Sequence, residues 1–314
     1  MSKKIATRQA YGDALAEFGS NKDIVVLDAD LSKSTKTDNF RKVYPERFFN
    51  MGIAEANMMS VAAGIATTGK IVFASTFAIF AAGRACEQVR NSICYPKLNV
   101  KIGATHAGIS VGEDGASHQM IEDISNMKTI PNMTVISPAD AIETRAAVKA
   151  AIEYNGPVYL RLGRLDVPVL FDENDYKFEI GKGIMMKDGS DVTIIATGLM
   201  VHIALEAYEM LKSEGINARV INIHTIKPID EDIIIKACRE TGAIVTAEEH
   251  NVINGLGSSV SDVASQNYPV PVKMVGIEDT FGKSGKPASL LQEFGLTAEN
   301  IVEKAKQAIA MKKL

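Results

Sequence analysis

Long apolar runs are missing from this chain. The most apolar stretch, Ile71 to Gly83, is too short to cross a bilayer as a helix, which argues against a helical membrane protein. Cysteine is also sparse: Cys86, Cys94 and Cys238 are odd in number, widely spaced and without CxxC spacing. That pattern excludes a disulfide framework and a structural zinc site, and it fits a reducing compartment. Charge of one sign is not in excess either. The formal net charge is -4, and lysines and arginines are scattered rather than banded. Neither nucleic acid nor an anionic membrane surface is therefore an expected partner. The opening Met1-Ser2-Lys3-Lys4 runs into Thr7, Arg8, Gln9 and Asp13 rather than an apolar core. No signal peptide is visible there, so a cytoplasmic location is expected. Internal repeats and low-complexity segments are absent.

What is present is an ordinary globular composition with a regular rhythm. With 314 residues, 46% hydrophobic, the chain is long enough for two domains. Tyr11, Leu15 and Phe18 share one helical face. Ile24 to Leu27 is a short apolar run of the kind that forms a buried parallel strand. The pattern then predicts a helix over Ala54 to Thr67, a strand from Ile71, and a helix over Ile79 to Cys94. Strands follow at Asn99 to Gly103, Met133 to Ile136 and Val158 to Leu160. Ser137-Pro138-Ala139-Asp140 reads as a helix start, with serine as cap and proline in the first turn. From about Leu165 to Ser190 the rhythm lapses, and it resumes with a strand at Val192 to Ala196 and a helix at Val201 to Leu211. Further strands are expected at Ala218 to Ile223, Ala243 to Thr246 and Val272 to Val275. Helices should begin near Asp230, after Gly257, and at a cap on Thr297. This is an α/β chain of two domains, each a mostly parallel sheet with helices on both faces. The expected boundaries are 1–170, a linker at 171–189, and 190–314. Asn254-Gly255-Leu256-Gly257 carries GxG without the third glycine of a dinucleotide fingerprint, and a tight turn is the better reading.

The most informative stretch is Ala104-Thr105-His106 followed by Gly112-Glu113-Asp114-Gly115-Ala116-Ser117-His118-Gln119. It places two of the five histidines and two carboxylates on a glycine-studded loop after an apolar strand. Loops at the carboxyl ends of parallel strands carry the chemistry of α/β proteins.

In order along the chain stand Gly52-Ile53-Ala54-Glu55-Ala56-Asn57-Met58, Ser75-Thr76-Phe77-Ala78-Ile79-Phe80 and the histidine loop. Together they resemble the pyrimidine-binding domain of transketolase. Lys227-Pro228-Ile229-Asp230, Thr246-Ala247-Glu248-Glu249-His250 and the Gly-Leu-Gly-Ser turn resemble its C-terminal domain. The resemblance implies thiamine diphosphate as cofactor, with Glu55 the buried carboxylate at its aminopyrimidine nitrogen and Phe77 and Phe80 packing that ring. Small apolar neighbours would shield Glu55 from water, as such a carboxylate needs. Asp30 matches a strand end that approaches the cofactor. Asp114 and His118 match residues that hydrogen-bond the hydroxyls and carbonyl region of a ketose donor. His106, Arg164 and Ser34 match contacts to the sugar phosphate. Gly83 stands where the family often has a further aromatic.

The family's Mg²⁺-binding signature, Gly-Asp-Gly with a trailing asparagine, has no counterpart in this chain, nor do the histidines of the domain that carries it. The resemblance is thus to the C-terminal subunit of a split transketolase. It implies an N-terminal subunit that supplies the diphosphate and Mg²⁺ site, most simply in a heterotetramer, and transfer of a two-carbon ketol unit between sugar phosphates. Deoxyxylulose-phosphate synthases and the beta subunits of 2-oxo acid dehydrogenases share parts of this logic. The His-x₅-Gly-Glu-Asp-Gly-x₂-His-Gln loop favours transketolase. A non-catalytic partner-binding subunit on the same fold is the reading outside enzymes.

Overall fold

Each apolar run bounded by polar residues becomes a strand of one of two large sheets. The computed structural model describes residues 3–312; Met1, Ser2, Lys313 and Leu314, the outermost ends of the two expected domains, lie outside the described residues. In the first half the strands are β1 (Lys4–Ala6), β2 (Ile24–Asp28), β3 (Phe48–Asn50), β4 (Ile71–Phe77), β5 (Val100–Thr105), β6 (Thr134–Ile136), β7 (Val158–Arg161) and β8 (Asp166–Pro168). In the second half they are β9 (Ile184–Lys187), β10 (Val192–Ala196), β11 (Ala218–Asn222), β12 (Thr225–Lys227), β13 (Ile244–Asn251) and β14 (Val272–Ile277).

The first sheet has the order β12-β6-β7-β5-β4-β2-β3 and the second β14-β13-β10-β11-β9. Both are parallel except at one edge, where β12 and β9 run antiparallel to their neighbours. Helices cover both faces, which is why β2, β5, β7, β10 and β11 are buried along their whole length. On the first sheet one face carries Tyr11, Leu15 and Phe40, the other Met58, Met59 and Ala62. The mostly parallel, two-sheet architecture is the one expected from the sequence pattern.

Three local differences have plain causes. The helix after β6 spans Ala141–Glu153 and is capped by Asp140, whose carboxylate accepts from Glu143 N at 2.8 Å. Ser137 is not the cap, because its amide donates to His224 O of the second half at 2.8 Å. The same Asp140 accepts from Leu170 N (2.6 Å) and Phe171 N (3.1 Å), tying the start of the expected linker to the first sheet. The helical stretch from Ile79 to Cys94 is largely of the wider π form, over Ile79–Arg84 and Val89–Cys94. Ala81, Ala82 and Gly83 offer little bulk against that widening, and π turns concentrate at functional sites. Strand β12 belongs by sequence to the second half, yet it pairs with β6 and so closes the edge of the first sheet.

The halves are joined by buried polar groups. Lys227 Nζ donates to Lys128 O (2.8 Å) and Ile130 O (2.6 Å), and Arg161 Nη2 donates to Glu249 O (2.9 Å). Open parallel sheets bind ligands at the carboxyl ends of strands, where the winding direction reverses. In the second sheet that place lies between β10 and β13, and the first half fills it. Thr197 Oγ1 donates to Ser137 O at 3.3 Å, and a cavity of only 20 Å³ remains. In the first sheet the reversal lies between β2 and β4, and there the ends are open to loops.

Candidate active site

Glu55 opens the helix Glu55–Ala66, a first-turn position where negative charge is favoured. It is 2% exposed, beside the fully buried Met58 and Met59. Among the described residues its side-chain hydrogen bond comes from Arg84 Nη1, at 2.9 Å. The same guanidinium lies 4.4 Å from the Phe80 ring centroid. Phe80 in turn stacks with Phe77, centroids 5.8 Å apart and planes at 10°. A Cβ built on Gly83 would meet nothing closer than Ile79 Cδ1 at 3.9 Å, so the face where the family often has an aromatic is open.

Phe77 ends β4, and its ring stacks on His106 at the end of β5, centroids 3.8 Å apart. His106 takes the left-handed conformation (φ 57°), uncommon for any residue but glycine and a mark of functional sites. Its Nε2 faces Arg8 Nη1 at 3.2 Å and its Nδ1 faces Thr105 Oγ1 at 2.9 Å. A guanidinium can only donate, so Nε2 accepts and the ring proton sits on Nδ1. Burial first, then the charges of Arg8, Arg164, His118 and Lys36, pushes the His106 pKa down to about 3. An unfolded histidine takes its proton near pH 6.5, so His106 lowers stability progressively as pH falls from there towards 3. Nitrogen NMR of ring-labelled protein should show a neutral, Nδ1-protonated ring at pH 5 to 7. An imidazolium that titrates near 6.5 would refute the arrangement.

Arg8 was not singled out by sequence reasoning. It sits in Thr7-Arg8-Gln9 at the start of the helix Thr7–Phe18, outside any of the motifs that mark the site. The fold carries it to the end of β5, where it also donates to Ser34 O at 2.9 Å. Burial, and then the charge of Arg164, lower its pKa from the ordinary guanidinium value. Ser34 lies in the short turn Ser32–Thr35, which Asp28 holds in place: Leu31 N and Thr35 Oγ1 donate to its carboxylate at 2.6 and 2.7 Å. Arg164 donates to Val111 O and pairs with Glu113 at 3.4 Å. Arg8, Arg164 and Lys36 thus all bear on His106, while Arg8 itself feels Arg164 and, in the opposite sense, Asp166.

Of the other expected residues, His118 joins the aromatic pair, edge-on to Phe80 (centroids 5.7 Å) and Phe77 (6.4 Å). Asp114 is exposed at the end of the turn Ile109–Asp114. Asp30, also left-handed (φ 65°), is exposed and accepts from Asn50 Nδ2 at 2.8 Å. Away from these residues, Glu248 accepts from Leu256 N (2.7 Å) and Gly257 N (2.8 Å), so the glycine-rich turn's amides are already satisfied. No group of three or more metal-ligating side chains converges among the described residues. No described helix is long and apolar enough to cross a membrane.

A buried carboxylate, stacked aromatics and neighbouring arginines, gathered by the ends of β4 and β5, define an α/β protein with a candidate ligand site in its first sheet. Residues 3–169 match the family model of the transketolase pyrimidine-binding domain, and residues 181–301 that of the transketolase C-terminal domain. The chain belongs to the transketolase family. It is 53% identical over 300 residues to a Methanocaldococcus jannaschii protein named as a transketolase C-terminal section, covering 95% of this chain and 94% of that one. It is 44% identical over 306 residues to a 6-deoxy-6-sulfo-D-fructose transketolase subunit of Clostridium sp. (strain MSTE9), covering 97% and 95%. A solved split-gene transketolase, an inactive beta4 tetramer, superimposes with TM-score 0.92 at 60% identity, covering 98% of this chain and 99% of that one.

Proposed function

We propose that this chain is the C-terminal subunit of a two-subunit transketolase, which moves a two-carbon ketol unit from a ketose phosphate to an aldose phosphate. The observation that carries the reading is the unbroken series Glu55, Arg84, Phe80, Phe77, His106, Arg8. It joins a shielded proton acceptor to an anion-binding end within one mouth.

The residues present fit the pyrimidine half of thiamine diphosphate. Glu55 is a buried acceptor, and Phe80 offers a flat apolar face that a planar donor, the Arg84 guanidinium, already covers. An aminopyrimidine has that same combination of flatness and hydrogen-bond donors. The chemistry that the bound cofactor supplies is that of a carbon nucleophile able to hold the two-carbon unit between donor and acceptor. Glu55 holds a proton against the ring nitrogen, and Phe77 and Phe80 keep water from it. Asp114 and His118 orient the hydroxyls and carbonyl of the ketose. Arg8 and Arg164 grip the terminal anion through parallel hydrogen bonds, with Ser34 and the neutral His106 completing the shell. Asp30 lines the rim on the cofactor side. We assign the diphosphate and its Mg²⁺ to a separate N-terminal subunit, in keeping with the lack of the family's Gly-Asp-Gly signature in this sequence. A heterotetramer in the cytoplasm is the assembly we propose.

The sugar is a ketose with a terminal oxyanion. A relative named for a sulfonated ketose shows that the anion can differ within the family. Two guanidiniums beside one spot suit a doubly charged phosphate better than a singly charged sulfonate. Mixing the chain with an N-terminal transketolase subunit, Mg²⁺ and thiamine diphosphate should yield ketol transfer from a ketose phosphate. The isolated chain should bind the cofactor poorly. Tight Mg²⁺-dependent binding without a partner, or no transfer by the assembled pair, would overturn the reading.

A further inference from the structure

The loop that bears Asp114 and His118 belongs to the first domain by sequence, yet the second domain holds it in several places. Glu249, near the end of β13, accepts from Ser110 N at 2.6 Å. Its carboxyl fills the space beside Gly108, where any Cβ would collide with it and where φ is +84°, so the turn admits only glycine. Gln119 Nε2 donates to Ile109 O and Gly112 O, each at 3.2 Å, and to Lys283 O of the second domain at 2.9 Å. Ser284 Oγ donates to Glu113 O at 2.7 Å. Ile109 packs in the second domain's own core with Val245 and Ala247.

Glu249 is the ionisable one of these anchors. It is 4% exposed, and burying a carboxylate is costly unless its charge is matched. Arg161 offsets only part of that cost: burial raises the Glu249 pKa, and the nearby guanidinium and the Ser110 contact pull it back. Arg161 Nη2 donates to the backbone oxygen of Glu249, and its Nε donates to Asp123 Oδ2 at 2.9 Å. Asp123 in turn accepts from Tyr159 OH at 2.9 Å. A carboxyl group kept at such a depth for one backbone N–H, two residues past a conformation only glycine adopts, is more than packing requires.

We infer that Glu249 is a positioning residue for the donor sugar: through Ser110 N and Gly108 it fixes the turn between His106 and Asp114, so the C-terminal domain sets donor affinity from behind the loop. This rests on the transketolase reading for the identity of the donor, whereas the clamp itself rests on geometry alone. Glu249 acts through the loop and touches neither sugar nor cofactor.

The test uses the chain assembled with an N-terminal subunit, Mg²⁺ and thiamine diphosphate, in three forms: wild type, Glu249→Ala and Glu249→Gln. Glutamine keeps an acceptor for Ser110 N; alanine leaves that amide unsatisfied. Glu249→Ala should raise KM for a ketose phosphate about tenfold with a smaller change in kcat and unchanged cofactor affinity, and Glu249→Gln should restore most of the loss. Hydrogen exchange on the isolated chain should quicken in residues 108–119 of Glu249→Ala and stay unchanged in both sheets. Unaltered exchange in 108–119 would overturn the inference. So would loosening spread evenly over both domains, or a fall in kcat at constant KM. If wild type shows no ketol transfer, the reading of the site falls, while the exchange measurement still decides the clamp.

Discussion

Glu55→Gln should lower kcat of the assembled enzyme about 10² to 10⁴-fold, the range that a positioned acid or base contributes, while the chain melts close to wild type. Glutamine matches the shape of glutamate and still accepts from Arg84, so the helix start and the stack over Phe80 stay in place. It cannot hold a proton for a ring nitrogen. The stability cost is small because Arg84, the other member of the pair, is half exposed, and such pairs contribute under about 1 kcal/mol. Glu55→Ala should be as inactive, with a somewhat lower melting point from the lost packing beside Met58 and Met59. Saturating-substrate turnover and a thermal melt separate the two effects. Near-normal turnover in Glu55→Gln would remove the assigned role and leave the site without its acid.

Much of this site could be read in the sequence because its residues sit in contiguous motifs on strand ends. Glu55, Phe77, Phe80, His106 and His118 lie where an α/β rhythm puts ligands, and alternation of strands and helices is a periodic signal. Arg8 and Glu249 were not legible in that way. Arg8 precedes the first buried strand by many residues, and only the order of strands in the sheet brings it beside His106. Glu249 was visible as part of Glu248-Glu249-His250, but sequence assigns no target to a carboxylate whose partner is 139 positions away. The crossing of β12 into the first sheet escaped for the same reason, since edge pairing between domains leaves no local period. Arg84 was hidden by chemistry rather than distance. An arginine on a helical stretch reads as solvated, yet Arg84 lies over Phe80 four positions before it and reaches Glu55 on a separate helix.

Arg8→Ala and Arg164→Ala should each raise KM for a ketose phosphate about 10 to 100-fold, as expected for losing a charge-assisted hydrogen bond, and leave an unphosphorylated ketose little affected. The two guanidiniums repel one another in the free chain: the charge of Arg164 contributes to the lowered pKa of Arg8. An anion between them relieves that repulsion as well as accepting their hydrogen bonds, so part of its affinity comes from strain it removes. Either single variant already removes the repulsion along with one contact. The double variant should therefore lose less than the two single losses combined, because the relief of repulsion is lost in full in each single variant and is counted twice in their sum. A double-mutant cycle on donor KM at low salt measures this coupling directly, and raising the ionic strength should shrink it. Equal losses with phosphorylated and unphosphorylated ketoses would mean that the two arginines hold the loop through Val111 O and Ser34 O rather than the anion. Those backbone contacts hold each guanidinium in the free chain and leave it further donors for the phosphate that the proposal assigns to the pair.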